Sequence, residues 1–204
     1  IGFDHYYGKN EFADDSQDDG AWGIYDEPFL QFACLKYNSF SNPFLSAVFT
    51  LSSHQPYKTP EEFNQAVLNG AIQQSEPILK SIRYLDYSLK KFFECAEKQN
   101  WYKNTVFIIT GDHTGPLLKG TEEKIEFRQK FQIPILFYSP NQEMLKGLDS
   151  SELAQQIDLF PTLLDLVGIG NAPQNHLARS LYRQGSKSIV LYSDHKYETV
   201  GVDK

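Results

Sequence analysis

Apolar positions in this chain fall into short unbroken runs and longer helical stripes, in alternation. Pro43-Phe44-Leu45-Ser46-Ala47-Val48-Phe49-Thr50-Leu51 is a run of strand length that stops at the polar loop Ser52-Ser53-His54-Gln55-Pro56-Tyr57. Thr105-Val106-Phe107-Ile108-Ile109-Thr110 is a second run, ending at Gly111-Asp112-His113-Thr114-Gly115. Ile133-Pro134-Ile135-Leu136-Phe137-Tyr138 is a third, and Ser188 to Tyr192 a fourth that ends at Ser193-Asp194-His195. Runs without polar alternation predict strands covered on both faces. Between them the spacing changes. Asp26 to Lys36 spaces Phe29, Leu30, Phe32 and Ala33 as one helix would, with Pro28 in the first turn. From Pro77 to Gln99, residues Ile78, Leu79, Ile82, Leu85, Leu89, Phe92, Phe93 and Ala96 form one stripe. Asp158 predicts the start of a third helix, running through Pro161 to Val167 and closed by Gly168. The first twenty residues are polar and acid-rich, which predicts an irregular surface segment.

Strands alternating with helices predict an α/β fold with a mainly parallel central sheet flanked by helices. A chain of 204 residues is expected to form one domain with a substantial core. In such sheets ligands bind beyond the carboxyl ends of the strands. That rule points to the loops at His54, at Gly111 to Gly115 and at Asp194-His195.

Composition narrows the classes. A hydrophobic share of 41%, with 15 Phe and 12 Tyr, indicates an ordered globular protein. The net charge of −7 argues against nucleic acid or an anionic membrane surface as partner, since both select clustered Lys and Arg. An acidic protein still handles an anionic substrate when a cation sits in its site. Cys34 and Cys95 lack C-x-x-C spacing and read as two small buried hydrophobes. No apolar run reaches membrane-span length, and no signal peptide opens the sequence. Ile1 is not an initiator Met, so the expectation is a piece of a longer protein whose export or anchoring segments lie upstream.

Asp112-His113 is the first candidate for chemistry. A hard carboxylate oxygen beside a borderline imidazole nitrogen suits Mn²⁺, Zn²⁺ or a similar ion. Flanking Gly111 and Gly115 are expected to permit a sharp turn that aims both side chains at one point. Asp194-His195 repeats the dipeptide after another apolar run and reads first as a polar strand exit. Asp4-His5 lies in the acidic segment and reads as solvated. His54, at the end of an apolar run among Ser52, Ser53 and Gln55, is placed to meet an oxyanion or protonate a leaving group. A backbone-bonded loop histidine is the competing reading. Asp14 to Gly20 superficially resembles a calcium loop, but Gln17 is a poor third ligand and the closing Glu is absent, so a solvated acidic loop is expected. Asp86 and Asp158 read as structural, and Trp22 reads as a pocket-lining aromatic or equally as a core or rim aromatic.

In order along the chain, four stretches carry a family resemblance. They are Phe49 to Tyr57, Tyr84-Leu85-Asp86-Tyr87-Ser88-Leu89 through Asn104 to His113, Ile133 to Tyr138, and Asp158-Leu159-Phe160-Pro161-Thr162-Leu163-Leu164-Asp165-Leu166-Val167-Gly168-Ile169. Together they resemble the sulfatase family of the alkaline phosphatase superfamily, in its lipoteichoic acid synthase-like, phosphoglycerol transferase branch. The resemblance implies that Asp112 and His113 are metal ligands, Mn²⁺ first and Mg²⁺, Ca²⁺ or Zn²⁺ as alternatives. It implies that His54 touches the substrate phosphate or glycerol. It also implies a nucleophilic threonine and an acidic metal ligand upstream of Ile1, a covalent phospho-threonine intermediate, a phosphoglycerol-lipid or other anionic ester as substrate, and no turnover by these residues alone. The parent is expected in the cell membrane, held by its upstream segments, with this domain outside the cytoplasm. Sulfuric ester hydrolysis, or a binding module without catalysis, are the competing expectations. Thr114 departs from the family pattern, where many relatives carry an aromatic residue or Gly.

Overall fold

The computed structural model describes residues 2–41, 43–66, 76–116, 126–148, 153–169, 177–183, 188–193 and 195–201. The chain divides into two compact units, Ile1–Tyr102 and Lys103–Lys204, and each is described by itself.

The first unit is built on two helices. After a short helix α1 (Lys9–Phe12), α2 spans Asp26–Lys36 as its spacing predicts. Asp26 and Glu27 in its first turn and Lys36 in its last complement the helix dipole. A short α3 (Glu61–Ala66) follows, then α4 (Pro77–Ala96), which starts on a proline whose missing N–H costs nothing at that position. Helix α2 packs on α4 and buries Asp26, Leu30, Ala33 and Cys34. The buried face of α4 differs from the predicted stripe: it is Ser81, Tyr84, Ser88, Phe92 and Ala96, while Leu79 and Ile82 are exposed. The serines are buried without an orphaned hydroxyl, because Ser81 Oγ donates to Ile78 O at 2.8 Å and Ser88 Oγ to Tyr84 O at 2.7 Å. Phe63 of α3 meets the Tyr84 ring edge-on, with centroids 4.9 Å apart.

Cys34 and Cys95 form a disulfide that ties α2 to α4 across a sequence separation of 61. This corrects the reading of two buried free thiols. Each cysteine looks like an ordinary helix residue in its own sequence context, and only the α2–α4 packing brings the pair together.

The apolar run Pro43 to Leu51 is not a strand. It pairs with no neighbour among the described residues, and Leu45 and Phe49 are 68% and 78% exposed. Hydrophobicity proposes a buried strand, but a strand also needs a ladder partner for its backbone N–H and C=O groups. Phe44 instead joins an aromatic group with Tyr37 and Phe40, at 5.3 Å from each ring.

The second unit holds β1 (Phe107–Thr110) and β2 (Ile135–Tyr138), paired antiparallel with Phe107 opposite Tyr138 and Thr110 opposite Ile135. A hairpin of β3 (Ser188–Ser193) and β4 (Lys196–Gly201) follows helix α5 (Leu159–Leu166). The described ladders are thus antiparallel where parallel pairing was expected. The expectation of two covered faces also fails: β3 exposes every second residue and Leu136 of β2 is 54% exposed, so a continuous apolar run fixes neither burial on both faces nor strand direction. Around α5 the buried Asp158 and Thr162 find backbone partners. Asp158 is buried, and its two oxygens accept the amides of Arg179 at 2.7 Å and Gln155 at 2.9 Å. Buried Thr162 donates to Asp158 O and accepts the Leu181 amide, and Arg183 grips Asp165 with two bonds of 3.0 Å. The helix ends at Leu166, and the chain turns away at Gly168, whose φ is +77°. Among the described residues no helix is long and apolar enough to cross a membrane.

Candidate functional site

In the first unit His54 sits in a tight turn. Its amide bonds Leu51 O at 3.0 Å, and the Tyr57 amide bonds His54 O at 2.7 Å. His54 Nδ1 lies 3.0 Å from Gln55 O. A carbonyl only accepts, so Nδ1 carries a proton and donates it, leaving Nε2 outside this bond. Trp22 lies against this ring with centroids 4.0 Å apart, and its Nε1–H donates to the same Gln55 O at 2.7 Å. Both rings are exposed, so they form an open platform with one imidazole nitrogen uncommitted.

Trp22 is presented by a turn that Asp19 shapes. Asp19 Oδ1 accepts the amides of Ala21, Trp22 and Gly23 at 2.7, 2.8 and 3.1 Å. Gly20 and Gly23 have φ of +70° and +148°, values that suit glycine. Lys58 Nζ donates to Asp19 O at 2.7 Å, tying this turn to the His54 loop. The acidic segment is therefore not uniformly solvated, since Asp19 is buried and spent on backbone amides. Lys9 bridges Asp18 at 2.9 Å, and that hydrogen bond holds the Asp18 carboxyl below the ordinary aspartate value.

In the second unit β1 delivers Asp112 and His113 where its ladder stops. Asp112 Oδ2 and His113 Nε2 are 3.5 Å apart, and both side chains are 73% exposed. His113 Nδ1 lies 2.8 Å from Thr114 O and donates to it, which leaves Nε2 as the ring atom that faces the carboxylate. Two electron-rich atoms at this separation, open to solvent, fit a cation shared between them at ordinary ligand distances of roughly 2.0–2.2 Å. A metal-bound histidine whose other ring nitrogen donates to a backbone carbonyl is a common arrangement. Gln156 Nε2 holds the turn from the α5 side, donating to Gly111 O at 2.8 Å and Asp112 O at 2.9 Å. Thr114 Oγ1 donates to Lys130 O at 2.8 Å. Gly111 does not use its conformational freedom, because a Cβ there would meet only ordinary contacts of 3.5 Å and more. The two side chains converge because the Asp112 carboxylate accepts the His113 amide at 2.9 Å. Among the described residues no third His, Cys, Asp or Glu joins this pair.

Asp4 and His5 are exposed in the N-terminal segment. His195 is exposed at the tip of the β3–β4 hairpin with φ +62°, and Asp194 lies outside the described residues. Asp86 pairs with Arg83 on the surface of α4 at 3.2 Å. Sequence reasoning missed Gln156 and left Trp22 unassigned. The Asp19-to-Gly23 turn, with two glycines around a tryptophan, was the available signal for Trp22; nothing local marks Gln156.

A family model described as Sulfatase matches residues 1–169, and the chain belongs to that family. It is similar to lipoteichoic acid synthase 1 of Bacillus subtilis, 24% identical over 98% of this chain and 32% of that protein. It is 26% identical to the lipoteichoic acid synthase-like YvgJ of the same organism, over 83% of this chain and 29% of YvgJ. The Staphylococcus aureus lipoteichoic acid synthase is 24% identical over 98% of this chain and 32% of its own length. A solved protein of the alkaline phosphatase superfamily from Vibrio parahaemolyticus superposes with a TM-score of 0.78 and 25% identity, covering 98% of this chain and 47% of that one. The chain thus has the alkaline phosphatase and sulfatase type of fold, and spans about a third of the length of the curated relatives it matches.

Proposed function

We propose that this chain is the C-terminal part of the catalytic domain of a metal-dependent phosphoglycerol transferase or phosphodiesterase. The observation that carries this reading is the facing pair Asp112 Oδ2 and His113 Nε2, 3.5 Å apart at the end of β1. Asp112 and His113 would hold a divalent cation, Mn²⁺ first among Mn²⁺, Mg²⁺, Ca²⁺ and Zn²⁺, which when bound supplies charge neutralisation at the transferring group and activates the nucleophile. Gln156 keeps the Asp112 carbonyl from turning, and the Thr114 carbonyl keeps the imidazole in its ligating tautomer. His54 serves the anionic substrate. Its Nε2, free of backbone, accepts a proton and then donates to a phosphate oxygen or to a glycerol hydroxyl. The nucleophile of this reading is a threonine upstream of Ile1. Its oxygen bonds to the phosphorus as the P–O bond to the lipid alcohol breaks and that alcohol leaves with a proton. An acceptor alcohol or water then takes the group and frees the threonine. By itself the chain is expected to bind metal weakly and not to turn over, since two protein ligands leave a site that ordinarily has three or four incomplete.

The relatives' names support a phosphoglycerol-bearing lipid as substrate class. The Cys34–Cys95 disulfide supports a domain outside the cytoplasm, where such bonds persist. Membrane attachment, in this reading, belongs to segments upstream. The family model favours a second reading, sulfuric ester hydrolysis, because sulfate and phosphoryl groups share shape and charge. One experiment addresses both: assay the longer protein with Mn²⁺ on a phosphoglycerol lipid and on an aryl sulfate, with and without Asp112→Ala. Phosphodiester cleavage that falls more than about 100-fold, beyond what outer-shell partners cost, supports the proposal. An undiminished rate overturns the site, and turnover of the sulfate ester alone overturns the substrate.

A further inference from the structure

Asp26 is 2% exposed and has no part in the chemistry above. Although it opens α2, its side chain caps nothing in that helix. Its Oδ1 instead accepts the amides of Leu51 at 2.7 Å and Ser52 at 3.1 Å, some twenty-five residues away. The contact is reciprocal, because the Asp26 amide donates to Ser52 Oγ at 3.2 Å, and Ser52 is itself buried. Oδ2 of Asp26 is buried without a hydrogen-bond partner. Burying a carboxylate this way is costly, and a helix start alone does not require it. What the burial secures is the root of the His54 turn, since the His54 amide closes back onto Leu51 O at 3.0 Å.

We propose that Asp26 is a positioning residue for His54, pinning Leu51 and Ser52 to the start of α2 so that the imidazole lands on Trp22. Trp22 reaches the same place from the chain just before α2, through the turn that Asp19 organises. One helix start therefore fixes both rings of the platform, one through a buried carboxylate and one through four residues of backbone. The proposal rests on the reading of His54 as the phosphate-contacting group for its catalytic meaning. The placement itself is tested without phosphate.

The test is nuclear magnetic resonance on the ¹⁵N-labelled chain. It follows cross-peaks between the Trp22 and His54 rings, and solvent exchange of the Trp22 indole N–H that donates to Gln55 O. In Asp26→Ala the cross-peaks are expected to vanish and indole exchange to speed by about tenfold, the scale of one lost hydrogen bond. Asp26→Asn keeps an oxygen at Oδ1 and is expected to retain both signals. If Asp26→Ala does not fold, Ser52→Ala, which removes only the reciprocal bond, is expected to speed exchange severalfold. A folded Asp26→Ala with unchanged ring contact overturns the proposal, as does an Asn variant that loses it or a Ser52→Ala variant with unaltered exchange. Failure of glycerol phosphate to shift the His54 resonances, with the ring contact intact, would overturn the functional reading and leave this one standing.

Discussion

Trp22 and His54 hydrogen-bond through ring nitrogens to one oxygen, the carbonyl of Gln55, while their ring centroids lie 4.0 Å apart. Both lone pairs of that carbonyl are then occupied, so neither ring rotates without breaking a bond. The consequence is directional. His54 Nε2 is left as the group a ligand meets, on a surface made by the indole.

Trp22 should therefore matter to ligand binding more than to folding. It is 52% exposed, so about half of its surface is already in water. An aromatic contact of this kind contributes about 0.5–1.5 kcal/mol. Glycerol phosphate affinity in the longer protein is expected to fall by up to about tenfold, while the thermal midpoint of the variant stays near that of the parent. Calorimetric titration and a thermal melt separate the two. A midpoint that collapses with affinity would mean the indole is a structural anchor.

Gln156 touches the Asp112–His113 turn only through backbone carbonyls. Gln156→Ala leaves both proposed ligands in place but frees the turn that aims them. Mn²⁺ affinity of the longer protein is expected to drop about 10–100-fold, as for other outer-shell partners. Gln156→Glu should be worse than Ala, because a carboxylate cannot donate to Gly111 O and Asp112 O. Equal affinities in the parent and both variants would remove Gln156 from the site.

The disulfide makes a separate prediction about stability. Closing a loop across a separation of 61 residues typically contributes about 2–4 kcal/mol. The paired change Cys34→Ser with Cys95→Ser, or reduction of the parent, is expected to lower the midpoint of denaturant unfolding of the first unit with little change in the second. Mass spectrometry under non-reducing conditions should show two hydrogens fewer than the reduced chain. Free thiols in the oxidised parent would remove the bond and its implication for compartment.

The helices α2 and α4 were legible because their apolar spacing and end residues agree, and β1, β2 and β3 because their runs are short and bounded by polar turns. The run Pro43 to Leu51 looked the same in sequence and is not a strand, since hydrophobic content does not specify a ladder partner. On α4 the spacing gave the helix but not its inner face. Ser81 and Ser88 satisfy their own hydroxyls on the helix backbone and admit close packing, while Leu79 and Ile82 stay outside. Asp112 and His113 stood out because one turn joins two ligating residue types. Asp26, Gln156 and the Cys34–Cys95 pair act across long sequence separations, and no local pattern carries such a relationship.

Asp26 offers a pH test with a definite sign. Burial, the largest influence, raises its carboxyl above the ordinary aspartate value of 3.8, against the opposing pull of the Leu51 and Ser52 amides on the anion. The folded chain therefore binds this proton more readily than the unfolded chain does. The resulting stability is fully present below the unfolded aspartate value and is lost as pH rises through the raised one. Asp18 and Asp165 act in the opposite sense. Hydrogen bonds from Lys9 and Arg183 lower their carboxyls, giving stability that is lost as pH falls. Denaturant unfolding of the parent and of Asp26→Asn at a series of pH values from about 3 to 7 isolates the Asp26 contribution, because the other carboxylates cancel in the difference. Parent stability relative to the Asn variant is expected to decline as pH rises across this range. A flat difference would mean that the unpaired Oδ2 reaches solvent, and a rising one that the two amides outweigh burial.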